Sequence, residues 1–298
     1  MRVIAAALLV SLIASPAFAD KIDKYVEQRM ETLHIPGLAL AIVRDGDLVK
    51  SKGYGLANLE TGARVTPQTR FEIGSLTKQF TAFTLMTLVE EGKVELDDPL
   101  RKYFPEAPAR WGAITIRHAL HHMSGIRNHV AVPGWMGVFK TDLGYSTSPD
   151  RAALQKLFYD LPSEFTPGDS WAYDNTGYIL IGWIIEDIAG APLFDLMRER
   201  IFGPLGMSST GPSDQRAVQS GRADGYEWVG DHYENRPALP AAAAGGAGAI
   251  VSTIEDLAKW ERALSSREIL SSESYTELER AGDINSGETP PFDYGFGW

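Results

Sequence analysis

The sequence predicts a mixed α/β (α+β) fold, in which an antiparallel sheet is flanked by helices and carries an inserted helical lobe. Two observations lead to this prediction. Two short apolar runs surround Asp45-Gly46 near the start of the chain, and this dipeptide is typical of a tight hairpin turn. Longer apolar stretches with helical spacing follow in the middle of the chain. Sheet first and helices afterwards indicate the α+β class.

Residues 1–19 have the composition of a secretory signal peptide. Arg2 is followed by an apolar run from Val3 to Ile13, and the small residues Ala17 and Ala19 lie at the expected cleavage site. The run is shorter than the roughly 20 apolar residues that an anchored membrane helix requires. We therefore expect cleavage after Ala19, no membrane span, and a periplasmic or secreted protein. A buried N-terminal helix is the alternative interpretation.

The remaining chain, residues 20–298, is expected to form one domain with a helical lobe at roughly residues 95–210. The expected helices span roughly residues 20–35, 75–91, 150–159, 177–188 and 253–264. Ser252 and Glu255 have the spacing of a capping box at the start of the last helix. The small-residue segment 238–250 is interpreted as close-packed turn and loop. Two strands alone make a marginal sheet, so the predicted sheet is incomplete.

The charge balance argues against nucleic-acid binding. The chain has 28 basic and 39 acidic side chains, a net charge of −11, and loss of Arg2 with the signal peptide makes it −12. Nucleic-acid affinity comes mostly from basic residues that neutralise phosphates. We expect a small-molecule or peptide substrate and no nucleic-acid partner.

Cysteine and histidine usage bears on metal sites and cofactors. The chain has no cysteine, which excludes thiolate catalysis and zinc sites built on cysteine. His118, His121 and His122 have a spacing that could bring imidazoles together on a helix, but no acidic partner lies at a suggestive distance. Packing and hydrogen bonding around a turn is the favoured role for them. We expect no metal and no cofactor.

Ser75 and Lys78 form a Ser-x-x-Lys motif, and it occurs once in the chain. Ser75 follows a glycine and begins an apolar helix, and Lys78 lies three residues on, on the same face. A desolvated lysine can lose its proton and then accept the proton of a serine nucleophile. The alternative is structural, with Ser75 as a helix N-cap and Lys78 extended into solvent.

Tyr173 and Asn175 precede the most apolar of the predicted helices. A tyrosine can relay protons when neighbouring cations favour its phenolate form. The side-chain amide of Asn175 can donate to and accept from a substrate amide. Taken alone, the pair is better explained structurally, with Tyr173 as a core aromatic and Asn175 as a helix cap.

Five stretches together resemble the serine β-lactamase-like, penicillin-binding-protein-like family of serine hydrolases, in particular its class C and esterase branch. They are FEIGSLTKQFTA (71–82), HALHHMSGI (118–126), YDN (173–175), ADGY (223–226) and GGAGAIVSTIEDLAKW (245–260). The first is similar to the family's nucleophile motif and the third to its tyrosine-x-asparagine motif. HALHHMSGI is similar to the family's His-x-Ser-Gly stretch. Because the order and approximate spacing also agree, the chain is identified as a family member.

The resemblance implies a role for each site residue. Ser75 would be the nucleophile that forms an acyl-enzyme, and Lys78 the base for acylation. Tyr173 would share or relay the proton and activate water for deacylation, and Asn175 would orient the substrate. Which of Lys78 and Tyr173 is the main base stays open for such sites. The backbone N–H of Ser75 would supply one oxyanion donor.

The sequence departs from the family pattern at its end. Family members carry a third motif, Lys-Thr-Gly or His-x-Gly, on a strand soon after a stretch similar to YGFGW (294–298). This sequence ends at that stretch, so we expect C-terminal sheet strands to be missing, together with a second oxyanion donor. Loss of one such donor typically lowers the rate about 10²- to 10³-fold.

The sequence therefore predicts an exported serine hydrolase that transfers an acyl group from an ester, a β-lactam or a D-amino-acid peptide. The alternative hypothesis is a non-catalytic, truncated family member that only binds peptidoglycan-like ligands. The substrate stays open, because one fold hosts many reactions. The oligomeric state stays open as well.

Overall fold

A computed structural model describes residues 16–141, 144–145, 151–214, 216–236, 241–287, 290 and 293–298. Its α-helices are α1 (Pro16–Thr32), α2 (Thr77–Glu90), α3 (Ile116–Leu120), α4 (Arg151–Asp160), α5 (Thr176–Ala189), α6 (Leu193–Met197), α7 (Ala241–Gly248), α8 (Ile254–Ser266) and α9 (Ser272–Glu279). Its strands are β1 (Gly37–Arg44), β2 (Asp47–Asn58), β3 (Ala63–Arg64), β4 (Phe71–Glu72), β5 (Lys140–Thr141), β6 (Gly144–Tyr145), β7 (Gly211–Pro212), β8 (Tyr226–Val229), β9 (His232–Asn235) and β10 (Ile250–Ser252). Helix and antiparallel sheet are thus mixed, as the α+β prediction requires.

The predicted hairpin at the start of the chain is confirmed. β1 and β2 pair antiparallel, with β3 added to the other edge of β2. Asp45 and Gly46 connect the first two strands with φ of +52° and +81°, the left-handed values that a two-residue hairpin turn needs. Among the described residues β1 is an edge strand of this sheet, and α8 packs against it.

α1 is fixed to the hairpin by a partly buried polar contact. Asp23 accepts hydrogen bonds from Lys50, from Lys52 at 2.6 Å and from Tyr54 at 2.6 Å. These donors hold the pKa of Asp23 well below its usual range. Residues 1–15 of the predicted signal peptide lie outside the described part, and the expected cleavage after Ala19 stays a prediction. In the described residues no helix has the length and apolar character needed to cross a membrane.

A second small sheet positions the candidate nucleophile. β10 pairs antiparallel with β4 on one side and β7 on the other. β4 leads directly into a 3₁₀ turn, Gly74–Leu76, and that turn continues into α2. The motif residue Ser75 is therefore held at the end of a strand and in front of a buried helix.

α2 and α5 form the centre of the hydrophobic core. Both are apolar around most of their circumference, which is why each is buried on several sides. Phe80 and Phe83 of α2 contact Trp260 of α8 at ring-centroid distances of 4.5 and 4.8 Å. Phe83 also contacts Trp298, at 5.7 Å. The described part of residues 95–210 contains α3 to α6, several 3₁₀ turns, a π-helical turn (Arg198–Phe202) and the short β5–β6 pair. The lobe boundary itself stays a prediction.

Two local predictions are wrong. The N-cap of α8 is Thr253, whose side chain accepts from the N–H of Asp256 at 3.2 Å, because Ser252 is paired within β10. The segment 238–250, expected to be turn and loop, contains the kinked helix α7 among its described residues. The close packing expected for that segment is present, since α7 lies against α2 and α5.

Candidate active site

The turn that carries Ser75 exposes its hydroxyl at the protein surface. Gly74 has a φ of +53°, which turns the chain sharply between β4 and α2. Ser75 is exposed, whereas Lys78 is completely buried. The N-cap of α2 is Leu76 and has no side-chain cap. The structural alternative for the motif, with Ser75 as N-cap and Lys78 in solvent, is therefore wrong.

Lys78 contacts three oxygen atoms. Its Nζ donates to Asn175 Oδ1 at 2.8 Å and to the Ala247 carbonyl oxygen at 2.9 Å, and it lies 3.3 Å from Ser75 Oγ. A neutral lysine amine has two N–H donors and one lone pair. Asn175 and Ala247 accept the two N–H groups, so the lone pair of neutral Lys78 faces Ser75. In that state the hydroxyl of Ser75 donates to Lys78.

Burial favours this neutral state. Desolvation lowers the pKa of Lys78 to about 7, and the nearby carboxylate of Asp174 opposes the shift. Near neutral pH a large share of Lys78 is thus unprotonated. A base with a pKa close to the working pH combines availability with driving force for proton transfer.

Tyr173 contacts the same serine from another direction. Its hydroxyl donates to Ser75 Oγ at 2.7 Å, and its ring centroid lies 4.7 Å from Lys78 Nζ. Burial raises the pKa of Tyr173, although the hydrogen bond to Ser75 acts in the opposite direction. The structure therefore differs from the expectation of a phenolate favoured by cations, and Tyr173 is a neutral donor here. Its proton is directed at Ser75 Oγ, whose own proton can be directed at Lys78.

Asn175 holds Lys78 and does not cap the helix that follows. Its Oδ1 accepts from Lys78, and its Nδ2 donates to Asn128 Oδ1 at 3.4 Å. The carboxylate that caps α5 belongs to the preceding residue, because the N–H of Gly177 donates to Asp174 Oδ1. The structure thus brings all four predicted site residues together: Ser75, Lys78, Tyr173 and Asn175.

α7 contributes a part of the site that sequence reasoning missed. The Ala247 carbonyl reaches Lys78, and the neighbouring Gly246 carbonyl accepts from Thr81 of α2 at 2.7 Å. A Cβ on Gly246 would lie 2.7 Å from the Tyr178 carbonyl oxygen, so only glycine permits this approach. The adjacent glycines of the segment were the available signal for such close packing.

The three histidines have separate environments. His118 completes a capping box with Thr115, and His121 Nδ1 lies 3.1 Å from the Tyr294 carbonyl oxygen. His122 is fully buried, and its Nδ1 accepts from the N–H of Asp174 at 3.2 Å. Within the described ranges no group of three metal-ligating side chains converges. The three imidazoles serve packing and hydrogen bonding.

A cavity of about 1050 Å³ opens beside Ser75. One wall consists of Ser75, Asn175 and small residues of α7. The other wall carries the charged side chains of Glu72 and Arg222. Glu72 accepts hydrogen bonds from Arg222 and, at 2.7 Å, from Ser213. The cavity is at the upper end of the usual range for small-molecule sites and is open enough for an extended ligand.

Comparisons with known proteins identify the family of the chain. The family model "Beta-lactamase" matches residues 22–298. The chain belongs to the beta-lactamase family. An unguisins hydrolase of Aspergillus campestris is 33% identical, with 92% of this chain and 53% of the relative covered. A D-aminopeptidase of Gluconobacter oxydans is 29% identical, with 95% of this chain and 52% of the relative covered.

A solved structure shows the same fold. The octameric penicillin-binding protein homologue from Pyrococcus abyssi superimposes with a TM-score of 0.80 at 30% identity, covering 94% of this chain and 64% of that one. The predicted family and the predicted α+β fold are both confirmed. The chain spans about half the length of the curated relatives named above.

Proposed function

We propose that this beta-lactamase family chain is an exported serine hydrolase that works through an acyl-enzyme on Ser75. Ser75 attacks the carbonyl carbon of an ester, a β-lactam or a D-amino-acid peptide. The observation that carries the proposal is the pair of contacts at Ser75 Oγ, with Lys78 Nζ at 3.3 Å and Tyr173 OH at 2.7 Å. One group accepts the nucleophile's proton, and the other donates a hydrogen bond to its oxygen.

The proposed acylation follows from the protonation states at the site. Neutral Lys78 takes the proton of Ser75 as the Oγ–carbon bond forms. The resulting ammonium then returns a proton to the leaving group as the bond between the carbonyl carbon and that group breaks. Tyr173 relays protons between these groups and directs water for deacylation. The backbone N–H of Ser75 is the proposed oxyanion donor.

The substrate class is supported by the cavity and by the relatives. Its volume of about 1050 Å³ suits a peptide or a bulky small molecule. The family includes proteins named D-aminopeptidase and unguisins hydrolase, and the first of these names points to a peptide substrate. Export is proposed from residues 1–19 alone, which have the charge and apolar pattern of a signal peptide.

Covalent labelling followed by intact-mass measurement tests both proposals. Incubation with a fluorophosphonate or a fluorescent penicillin is expected to add one probe mass at Ser75, and Ser75→Ala abolishes the adduct. Ser265→Ala, a change of an exposed serine on α8, serves as the matched control and keeps it. The same spectrum of protein from an exporting host is expected to show a chain that starts at Asp20. Absence of an adduct together with no turnover of p-nitrophenyl acetate would overturn the enzymatic proposal.

A further inference from the structure

Asp174, between the two residues of the Tyr-x-Asn motif, is a buried carboxylate. Its exposed fraction is 1%. Oδ1 accepts from the N–H of Gly177, whereas Oδ2 has no hydrogen-bond partner in the described part of the chain and lies 3.6 Å from His122 Nδ1. A buried carboxylate is unfavourable unless a positive charge compensates it.

The groups around Asp174 offer one cation. Burial lowers the pKa of His122 and lowers that of His129 to about 4, so both are neutral near pH 7. The backbone N–H of Asp174 also occupies His122 Nδ1, which fixes the ring as a neutral tautomer. The phenols of Tyr173, Tyr178 and Tyr294 have raised pKa values and are neutral as well. Of the titratable groups described at this site, Lys78 alone can carry a positive charge near neutral pH.

The elements that pack against Lys78 present these tyrosine and histidine side chains to it. The rings of Tyr173 and Tyr178 lie 4.7 and 5.4 Å from its Nζ. His122 packs behind Tyr173 with ring centroids 4.3 Å apart, and Tyr294 contacts the same ring at 6.4 Å. α7 contributes a carbonyl and no charge. Asp174 lies between Tyr173 and Asn175, which both contact Lys78, and among the described groups its carboxylate is the one whose charge favours the ammonium form of Lys78.

We propose that Asp174 is a positioning residue that sets the pH range in which Lys78 can act as a base. The inference rests on the proposed acyl-enzyme mechanism. Lys78 has to accept the proton of Ser75 and hold it until the leaving group takes it. The field of Asp174 stabilises the ammonium during that interval, without contact between Asp174 and the substrate. Burial without this field would make Lys78 a weaker base for this step.

Asp174→Asn tests the inference, because the amide keeps an oxygen acceptor for Gly177 and removes the charge. The acidic limb of the pH profile of kcat/KM for p-nitrophenyl acetate is expected to move about one unit to lower pH. The maximal rate is expected to fall, because the less basic lysine accepts the proton less well. Asp187→Asn, which removes an exposed carboxylate from the far end of α5, is expected to leave the limb in place.

Two outcomes distinguish the possibilities, and a second variant is available. A lower rate with an unshifted acidic limb would show that Asp174 has only a structural role, and would overturn the inference. Asp174→Ser supplies a second variant that lacks the charge and retains a capping oxygen, should Asp174→Asn fold poorly. The rate at which a fluorophosphonate labels Ser75 is expected to show the same acidic limb in its pH dependence. If the wild type is not labelled at all, the proposed function itself fails.

Discussion

At the scale of single residues, Ser75 is activated by the difference between its two neighbours. Lys78 and Tyr173 are both partly or fully withdrawn from water, and desolvation favours the neutral form of each. For lysine the neutral form is the base, whereas for tyrosine the neutral form is the acid. One physical cause, burial, therefore produces a proton acceptor and a proton donor at the same oxygen atom.

Tyr173→Phe separates these roles. The variant keeps the ring that packs 4.7 Å from Lys78 Nζ and removes the hydroxyl that donates to Ser75 Oγ. Because proton transfer by a positioned group contributes about 10²- to 10⁴-fold, turnover of p-nitrophenyl acetate is expected to fall at least 10²-fold. Thermal unfolding is expected to change little. Tyr294→Phe, which alters a ring that touches Tyr173 without reaching Ser75, is the control, and an equal loss in both variants would contradict the assignment.

At the scale of elements, α7 shows where sequence patterns stop being informative. The periodicity of α2 and α5 predicts both helices to within a few residues, because their apolar positions recur at helical spacing. α7 consists of alanine and glycine, so it has no apolar and polar faces to alternate. Its helical form depends on packing against α2 and α5, a tertiary effect that no local pattern encodes.

In the candidate site, too, some residues could be predicted from the sequence and others could not. Ser75, Lys78, Tyr173 and Asn175 were predictable because each carries a distinctive functional group within a motif. The carbonyl of Ala247 was not, since every residue has one and only the fold decides which carbonyl reaches Lys78. The capping residue of α8 was misplaced by one position for a related reason. Ser252 fits the local pattern as well as Thr253, but its backbone is engaged in β10.

Gly246→Ala tests the contribution of α7. The added Cβ would lie 2.7 Å from the Tyr178 carbonyl oxygen and 3.2 Å from the Thr81 side chain, so α7 has to move away from α5 and α2. Such overpacking typically costs about 1–3 kcal/mol, and the shift also draws the Ala247 carbonyl away from Lys78. Urea unfolding measures the first effect, and turnover measures the second.

The matched control for that change lies in the same helix. In Gly248→Ala the nearest atom to the new Cβ is Ala244 Cβ at 3.5 Å, an ordinary contact. The free energy of unfolding is expected to change by less than about 0.5 kcal/mol. Equal stability of Gly246→Ala and the wild type would show that the close contact between Gly246 and the Tyr178 carbonyl does not fix α7.

At the scale of the whole molecule, the buried histidines couple the core to the pH of the medium. His121 and His129 are almost completely buried, and desolvation lowers the pKa of each to about 4. The pKa values of His118 and His122 are lowered for the same reason. These side chains join α3 and the loop after it to α5 and to the C-terminal segment, so their protonation affects contacts across the molecule.

The protein is therefore expected to lose stability as the pH falls from about 6.5 towards 4. An unfolded histidine binds its proton near pH 6.5, whereas His121 and His129 bind theirs only near pH 4 in the folded state. Between these values the unfolded chain holds more protons, so the free energy of unfolding decreases by up to about 1.4 kcal/mol per pH unit for each histidine.

Urea unfolding at pH 7, 6 and 5 measures this slope, above the range in which most carboxylates titrate. His121→Asn, whose amide can still donate to the Tyr294 carbonyl, is expected to flatten the slope by one proton. Parallel curves for His121→Asn and the wild type would show that burial of this imidazole does not make the fold sensitive to acid.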